Sequence, residues 1–219
     1  MNLESRINLK DSFDVVIIGG GIIGISLAIE IAKNESKYNI LLIEKEKAPG
    51  LHASGRNSGV IHAGFYYSPQ SLKAKFCREG NILLHETCKR LGVPVIKTGK
   101  VVVSQNIEEA TMIEKLFQRG IENGIKLEMH EDQSLSKFEP LARSSGGFIW
   151  SPTTSVSDPR QLINYLAKQA KDQGIHFIFG IKPKFSNGHL YLDGERITYR
   201  HLVNSAGSQA IEIAHTFNT

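Results

Sequence analysis

A glycine-rich turn directly after a short apolar run is the feature that most limits how this chain can fold. Val15–Ile18 is apolar without interruption, as expected for a parallel strand buried on both faces. Gly19, Gly21 and Gly24 follow in the spacing G-x-G-x-x-G. The first glycine permits a sharp turn, the second lets the backbone approach a pyrophosphate, and the third lets the next helix pack closely on the sheet.

A second apolar run that ends in an acid supports the same interpretation. Ile40–Ile43 is typical of a buried strand, and Glu44 lies 20 residues beyond Gly24, where an acid accepts hydrogen bonds from a ribose hydroxyl. The N-terminus of the intervening helix offers unpaired N–H groups and the positive end of its dipole to a phosphate. Strand, glycine turn, helix, strand and acid together predict a dinucleotide site. The alternative is a glycine-rich turn that serves packing only.

Composition excludes several classes of protein. With 219 residues, 41% of them hydrophobic and 22% charged, the chain is typical of a soluble globular protein with room for one domain and an inserted lobe. The formal net charge of +4 is spread along the chain without a long basic run, so nucleic acid is not an expected partner. Cys77 and Cys88 have no metal-ligand spacing, and we expect reduced thiols and no metal site.

Targeting signals are not evident in the sequence. Residues 1–12 contain no apolar signal segment, and no stretch approaches the length of a membrane span. We therefore expect a cytoplasmic location, with peripheral contact to the inner membrane left open.

The loop after Glu44 is rich in glycine and small polar residues and then becomes apolar and aromatic. Gly55, Gly59 and Gly64 would permit close approach of the backbone to a flat ligand. His62 is the only histidine flanked by an apolar pair and a small pair, which makes it a candidate functional imidazole. The alternative is a buried structural histidine.

Periodic patterns predict the remaining elements. Ser71–Leu91 predicts an amphipathic helix with its apolar face at Phe76, Leu83, Leu84, Cys88 and Leu91. Its basic residues indicate a solvated face, although Lys73 lies near enough to the loop to reach a carboxylate. Further on, the sequence predicts strands at Lys100–Gln105, Gly147–Trp150 and Ile175–Phe179, helices at Ile107–Arg119 and from Pro159 to Gly174, a hairpin turned at Asp193-Gly194, and a short strand at His201–Gly207.

The motifs DVVIIGGGIIG, NSGVIHAGFYY, SLKAKFC and HLVNSAG, in this order and with Glu44, carry a resemblance. The sequence resembles the FAD-dependent oxidoreductases of the D-amino-acid oxidase superfamily. Asn57–Tyr67 with Ser71–Cys77 is similar to the branch that acts on L-2-hydroxyglutarate, and not to the glycine, sarcosine or glycerol-3-phosphate branches.

The resemblance implies an α/β fold and FAD as cofactor. A Rossmann-like FAD-binding domain with a parallel sheet would comprise residues 12–92 and 158–219, interrupted by a mixed-sheet substrate domain at 93–157. Family members are roughly twice as long, in line with two packed domains. We therefore expect an N-terminal part that lacks later substrate-domain strands and is not a competent oxidase alone.

The resemblance also assigns site residues. Gly19, Gly21, Gly24 and Glu44 would bind the ADP half, Ser54, Asn57, Ser58 and Gly59 the pyrophosphate and flavin, and Gly207 would approach the cofactor from the last strand. At Arg56 the sequence departs from the family, since GRNSG stands where GHNSG is expected.

For the chemistry, the expected reaction moves a hydride from C2 of a 2-hydroxy acid to the flavin, with His62 as the base that removes the hydroxyl proton. Arg56 and Lys73 are candidates for holding the substrate carboxylates. The electron acceptor is left open between a quinone and oxygen. Two alternatives are a related flavoenzyme acting on an amino acid, an amine or glycerol-3-phosphate, and a catalytically silent nucleotide-binding fragment.

Overall fold

The computed structural model describes residues 12–216, which form two compact units. Unit 1 comprises residues 12–57 and 159–216, and unit 2 comprises residues 58–158. The sequence predicts no targeting signal in residues 1–12, and of these only Ser12 is among the described residues.

The elements follow one another along the chain as an alternation of strands and helices. They are β1 (Ser12–Ile18), α1 (Ile22–Asn34), β2 (Ile40–Glu44), β3 (Val60–Ile61), α2 (Leu72–Leu91), β4 (Val95–Ile96), β5 (Val101–Val103), α3 (Ile107–Glu122), β6 (Glu128–His130), β7 (Phe148–Trp150), β8 (Ser155–Ser157), α4 (Pro159–Asp172), β9 (His176–Phe179), β10 (Lys184–Ser186), β11 (His189–Leu192), β12 (Glu195–Asn204) and α5 (Ala210–Thr216).

The two units do not follow the predicted domain boundaries throughout. The boundary near residue 158 agrees, but residues 58–92 group with unit 2 and not with the unit that carries the glycine turn. The reason lies in the pairing of β3 with β8 and in the hydrogen bonds from Asn81 of α2 to the carbonyl oxygens of Ile61 and Thr153. The assignment of the units to cofactor and substrate stays a prediction.

Unit 1 is built on a six-stranded mixed sheet in the order β10-β11-β12-β1-β2-β9. The strands from β12 to β9 run parallel, and β10, β11 and the start of β12 form an antiparallel meander. Every residue of β2 is buried, and Val16 and Leu41 are fully inaccessible to solvent. The two apolar runs of the sequence are therefore central strands, as predicted.

The hairpin of unit 1 follows its turn chemistry. Asp193 and Gly194 connect β11 to β12 with φ of 48° and 88°, the left-handed values that a two-residue hairpin turn requires. The predicted short strand at His201–Gly207 is wrong as a separate element, because residues 201–204 are the end of the ten-residue strand β12. No turn residue interrupts this strand, so it pairs first with β11 and then with β1.

Unit 2 contains two three-stranded sheets, β3-β8-β4 and β5-β7-β6, whose described pairs are all antiparallel. The predicted apolar face of α2 is wrong in part, since Phe76 and Leu83 are exposed. The helix buries Cys88, as predicted, together with Ala74 and Asn81, which the prediction did not include. Small side chains on this face permit a close approach to the neighbouring loop, and the Asn81 amide forms hydrogen bonds with carbonyl groups there.

Among residues 12–216, no helix combines the length and the apolar character needed to cross a membrane.

The close contact between Gly24 and Gly19 should contribute to the stability of unit 1. A Cβ at this position would lie 2.1 Å from the carbonyl oxygen of Gly19, so Gly24→Ala forces α1 away from the sheet. We expect a loss of about 1–3 kcal/mol of unfolding free energy. Thermal unfolding followed by circular dichroism measures it.

Ser26→Ala is the matched control, because Ser26 lies exposed on the same helix. It should change stability by no more than about 0.5 kcal/mol, in the stabilising direction. Equal melting temperatures for the two variants would contradict the packing argument.

Candidate functional site

The turn after β1 brings the backbone of Gly19 close to that of Ser205. Gly19 has φ of 108°, and a Cβ there would lie 2.5 Å from the carbonyl oxygen of Ser205. Ser205 in turn donates its hydroxyl to the carbonyl oxygens of Ile18 (2.8 Å) and Gly19 (3.1 Å). The ends of β1 and β12 therefore meet at this turn.

A cavity of about 430 Å³ lies in unit 1 at the carboxyl ends of its parallel strands. This volume is within the range of about 300–1,000 Å³ that is usual for cofactor sites, and the edge is where open α/β sheets bind their ligands. The predicted site residues that line the cavity are Gly19, Gly21, Glu44, Ser54, Arg56 and Gly207. Residues from four separate segments of the sequence thus meet in one site.

Glu44 is held in a defined orientation inside this cavity. It is only 7% exposed, and its Oε2 accepts a hydrogen bond from the backbone N–H of Gly20 at 2.7 Å. Its Oε1 accepts from the N–H of Glu46 at 2.9 Å. Because a carboxylate offers about four lone-pair sites, both oxygens can still accept a hydrogen bond from a ribose hydroxyl.

Ser54 lies at the N-terminus of α1. Its Oγ accepts a hydrogen bond from the N–H of Ile22 at 3.1 Å, which leaves its own hydroxyl proton free to donate to a phosphate. A Cβ at Gly21 would lie 2.9 Å from this Oγ, so a larger residue would displace the Ser54 hydroxyl. The helix N-terminus, the glycine surface and the oriented acid fit the ADP half of a dinucleotide.

Two side-chain pairs lie at or next to the rim of the cavity. His52 Nε2 lies 2.8 Å from Glu46 Oε1, and this hydrogen bond lowers the pKa of Glu46. Lys182 Nζ and Glu212 Oε1 form an ion pair at 3.0 Å. Sequence reasoning missed Ser205, Lys182 and Glu212. The small residues of HLVNSAG were a usable signal for Ser205, whereas only the fold brings residues 182 and 212 to the cavity.

Other predicted site residues lie elsewhere. Asn57 donates to the carbonyl oxygens of Ala53 (3.1 Å) and Ser54 (2.7 Å) and so stabilises the loop. Gly24 contacts the backbone of Gly19 and does not line the cavity. Ser58, Gly59, His62 and Lys73 belong to unit 2.

Two of the loop glycines make close contacts within the protein itself. A Cβ at Gly55 would lie 2.3 Å from the carbonyl oxygen of Gly50. At Gly64, which has φ of 100°, a Cβ would lie 3.1 Å from the Cβ of Cys77. The chain's own contacts therefore favour glycine at both positions, and the close approach of a flat ligand stays a prediction.

His62 begins a segment of unit 2 that we call the histidine loop, residues 62–67. The alternative of a buried structural histidine is not what the structure has, because the His62 side chain is exposed. Its carbonyl oxygen accepts hydrogen bonds from Asn81 Nδ2 at 3.1 Å and from Cys77 Sγ at 3.6 Å. The backbone of the candidate base is thus fixed by α2 while its ring stays accessible.

Helix α3 holds the other end of the histidine loop. Asn123 Nδ2 donates to the carbonyl oxygens of Tyr67 (2.9 Å) and Gly64 (3.4 Å), and Arg119 Nη1 donates to that of Tyr66 (3.2 Å). Because these carbonyl groups have side-chain donors in place of strand partners, the loop keeps one shape without being part of a sheet.

The local environment changes the acidity of two groups near this loop. Partial desolvation lowers the pKa of His62, and the positive charge of Lys100 lowers it further. Desolvation raises the pKa of the Cys77 thiol. At neutral pH His62 is therefore a neutral imidazole that can accept a proton.

Lys73 is exposed on α2, with its Nζ 6.0 Å from the centroid of the Tyr67 ring. Within the part of the chain that the structure describes, no group of three or more acidic, histidine or cysteine side chains is placed to hold a metal ion.

The fold and the cavity define a dinucleotide-binding protein of the Rossmann-like α/β class. A family model described as FAD dependent oxidoreductase (DAO) matches residues 14–218. The chain belongs to this family.

Individual relatives support the assignment to this family. The chain is 39% identical over 171 residues to the mitochondrial L-2-hydroxyglutarate dehydrogenase of Pongo abelii, covering 78% of this chain and 41% of the relative. It is 37% identical over 177 residues to the L-2-hydroxyglutarate dehydrogenase of Escherichia coli K12, covering 81% and 42%. The chain thus spans about two fifths of the length of these relatives.

Among solved structures, the reduced L-alpha-glycerophosphate oxidase of Mycoplasma pneumoniae with FAD bound superposes with a TM-score of 0.84 at 27% identity. The match covers 95% of this chain and 57% of that protein. Together with the family, this likeness identifies FAD as the dinucleotide.

Glu44→Ala should weaken FAD binding by about 1–3 kcal/mol, because the ribose would lose its acceptor in a site built around one. Titration of apoprotein with FAD, followed by the change in flavin fluorescence, measures the affinity. Glu35→Ala, which removes an exposed carboxylate at the far end of α1, is the control and should bind FAD as the wild type does. Equal affinity for both variants would exclude Glu44 from the ribose site.

Proposed function

We propose that this chain forms the cofactor-binding and base-carrying part of an enzyme that oxidises L-2-hydroxyglutarate to 2-oxoglutarate. The observation that carries the proposal is the presence, in one chain, of a dinucleotide cavity with an oriented acid and of an accessible neutral histidine on a fixed loop. The substrate is taken from relatives of 37–43% identity that are named L-2-hydroxyglutarate dehydrogenases.

The residues of unit 1 are suited to hold the ADP half of FAD. Glu44 would accept hydrogen bonds from the ribose hydroxyls, and Ser54 with the N-terminus of α1 would donate to the pyrophosphate. Arg56, in the wall of the same cavity, adds a positive charge. When bound, FAD supplies the hydride acceptor of the reaction.

The residues of unit 2 supply proton transfer. The neutral ring of His62 takes the proton of the C2 hydroxyl, so that loss of a hydride from C2 leaves a neutral carbonyl group and not a protonated one. The hydrogen bonds from Asn81 and Cys77 to its carbonyl oxygen limit the movement of its backbone. Proton acceptance therefore needs no rearrangement of the loop.

A second candidate substrate follows from the likeness to the glycerophosphate oxidase. Both substrates carry a secondary alcohol and an anionic group, so the same base serves either. A panel of L-2-hydroxyglutarate, glycerol-3-phosphate and amino acids, each followed by bleaching of the flavin under anaerobic conditions, separates them. Bleaching by L-2-hydroxyglutarate alone supports the proposal, and bleaching only by another member of the panel overturns it.

The electron acceptor is either a quinone or oxygen, and the reduced enzyme can be reoxidised with each in turn. A quinone acceptor requires contact with a membrane surface, so acceptor and location are linked. We propose a cytoplasmic enzyme with peripheral contact to the inner membrane, which cell fractionation tests.

His62→Ala in the flavin-loaded, full-length protein should lower kcat by roughly a hundred- to ten-thousandfold, the usual contribution of a general base. Flavin content should stay unchanged, because His62 belongs to unit 2 and not to the cavity of unit 1.

His85→Ala is the control. His85 lies between the carbonyl oxygen of Asn81 (2.7 Å) and the hydroxyl of Ser155 (2.8 Å), so its loss should affect stability and leave turnover per bound flavin intact. Full turnover in well-folded His62→Ala protein would remove His62 from the mechanism.

The pH dependence of kcat/KM follows from the lowered pKa of His62. A base acts in its neutral form, and a pKa below the usual value of about 6.5 keeps that form present in mildly acidic solution. We therefore expect kcat/KM to be level through neutral pH and to fall only below about pH 6.5. A pH–rate profile centred above that value would contradict the assignment.

A further inference from the structure

Two lysines lie over the rings of two consecutive tyrosines in the histidine loop. The Nζ of Lys100 is 4.7 Å from the centroid of the Tyr66 ring, and that of Lys73 is 6.0 Å from the centroid of the Tyr67 ring. Cation–π attraction is significant within about 6 Å. Lys100 therefore makes the closer contact, although Lys73 is the lysine predicted from the sequence.

Lys100 is half-buried and lacks an acidic partner. Among residues 12–216, no carboxylate lies within ion-pair distance of its ammonium group, and no hydrogen bond joins it to another side chain. The ring face of Tyr66 is the contact that the structure gives this ammonium, and its three N–H donors stay available to a ligand.

The backbone that carries Lys100 is fixed. Its N–H donates to the carbonyl oxygen of Ser151 at 3.1 Å and its carbonyl oxygen accepts from the N–H of Ser151 at 2.8 Å. Ser151 is completely buried, with its Oγ 2.9 Å from Oγ1 of Thr154. The side chain thus starts from a rigid point at the beginning of β5.

The ring under the ammonium is fixed as well. The Tyr66 carbonyl oxygen accepts a hydrogen bond from Arg119, and its ring lies 4.1 Å, centroid to centroid, from that of Phe65. Phe65 is only 1% exposed. The Lys100 ammonium is consequently held over a rigid aromatic platform in the same loop as His62.

Lys100 is also within electrostatic range of the candidate base, since its charge lowers the pKa of His62. A cation beside a neutral base suits a substrate whose oxidised carbon is next to an anionic group. The ammonium attracts the anion, and the imidazole takes the hydroxyl proton.

We propose that Lys100 binds a carboxylate of the substrate next to His62, in place of the role predicted for Lys73. This inference rests on the proposed function, because it presumes a hydroxy-acid substrate. It adds the residue of unit 2 that gives the site its preference for an anion.

Glutarate tests the inference without turnover, because it has both carboxylates of 2-hydroxyglutarate and no hydroxyl group to oxidise. Calorimetric titration of the flavin-loaded, full-length protein with glutarate gives Kd. Lys100→Met keeps the apolar stem over Tyr66 and removes the charge. Kd should rise by about 10- to 150-fold, the usual effect of losing a hydrogen bond between charged groups.

Three further variants serve as controls. Lys100→Arg keeps the charge and should stay within about tenfold of wild type. Lys97→Met, which changes an exposed lysine in the connection just before β5, should bind glutarate as the wild type does. Lys73→Met tests the earlier candidate and should raise Kd less than Lys100→Met does. With L-2-hydroxyglutarate, Lys100→Met should raise KM more than it lowers kcat.

Three outcomes would overturn the inference. They are an unchanged Kd in Lys100→Met, a larger effect of Lys73→Met than of Lys100→Met, and no glutarate binding by the wild type. Lys100→Gln, checked for flavin content and melting temperature, must repeat the result, so that misfolding of one variant cannot decide it. Turnover of L-2-hydroxyglutarate by the wild type separately decides the proposed function.

Discussion

The close contact between the start of helix α1 and the end of strand β1 is the constraint on which unit 1 depends. Gly24 lies against the carbonyl oxygen of Gly19, and Gly19 lies against Ser205, with no room for a side chain at either glycine. The hydrogen bonds of Ser205 to Ile18 and Gly19 then tie the last strand to this turn. Because three segments meet without intervening side chains, backbone N–H groups, Glu44 and Gly207 line one cavity.

In unit 2, side-chain hydrogen bonds hold an irregular loop that does not belong to a sheet. The carbonyl groups of the histidine loop accept hydrogen bonds from the amides of Asn81 and Asn123 and from the guanidinium group of Arg119. In the described residues no buried side-chain nitrogen or oxygen lacks a partner. A loop satisfied in this way stays rigid, and its exposed residues, His62 among them, present their side chains from a fixed backbone.

Helix α2 shows why sequence pattern alone misjudges some surfaces. Phe76 and Leu83 suggested the buried face because apolar side chains usually lie inward. The face that packs in the described residues carries Ala74, Asn81 and Cys88, which are small or polar. Asn81 is buried because it hydrogen-bonds carbonyl groups of the chain, including that of Thr153, and a periodicity argument gives no weight to such partners.

Local spacing determined the parts of this protein that depend on neighbouring residues. The glycine turn, the two buried strands, Glu44 and the two-residue hairpin turn at Asp193 all follow from conformational limits and burial patterns that act within about 30 residues. Tertiary structure alone decided which distant groups meet. It brought residues 182 and 212 to the cavity, placed Arg56 in the cavity wall, and set Lys100 over Tyr66. The physical reason is that such contacts depend on sheet order and on the packing of whole elements, for which a single sequence carries no local signal.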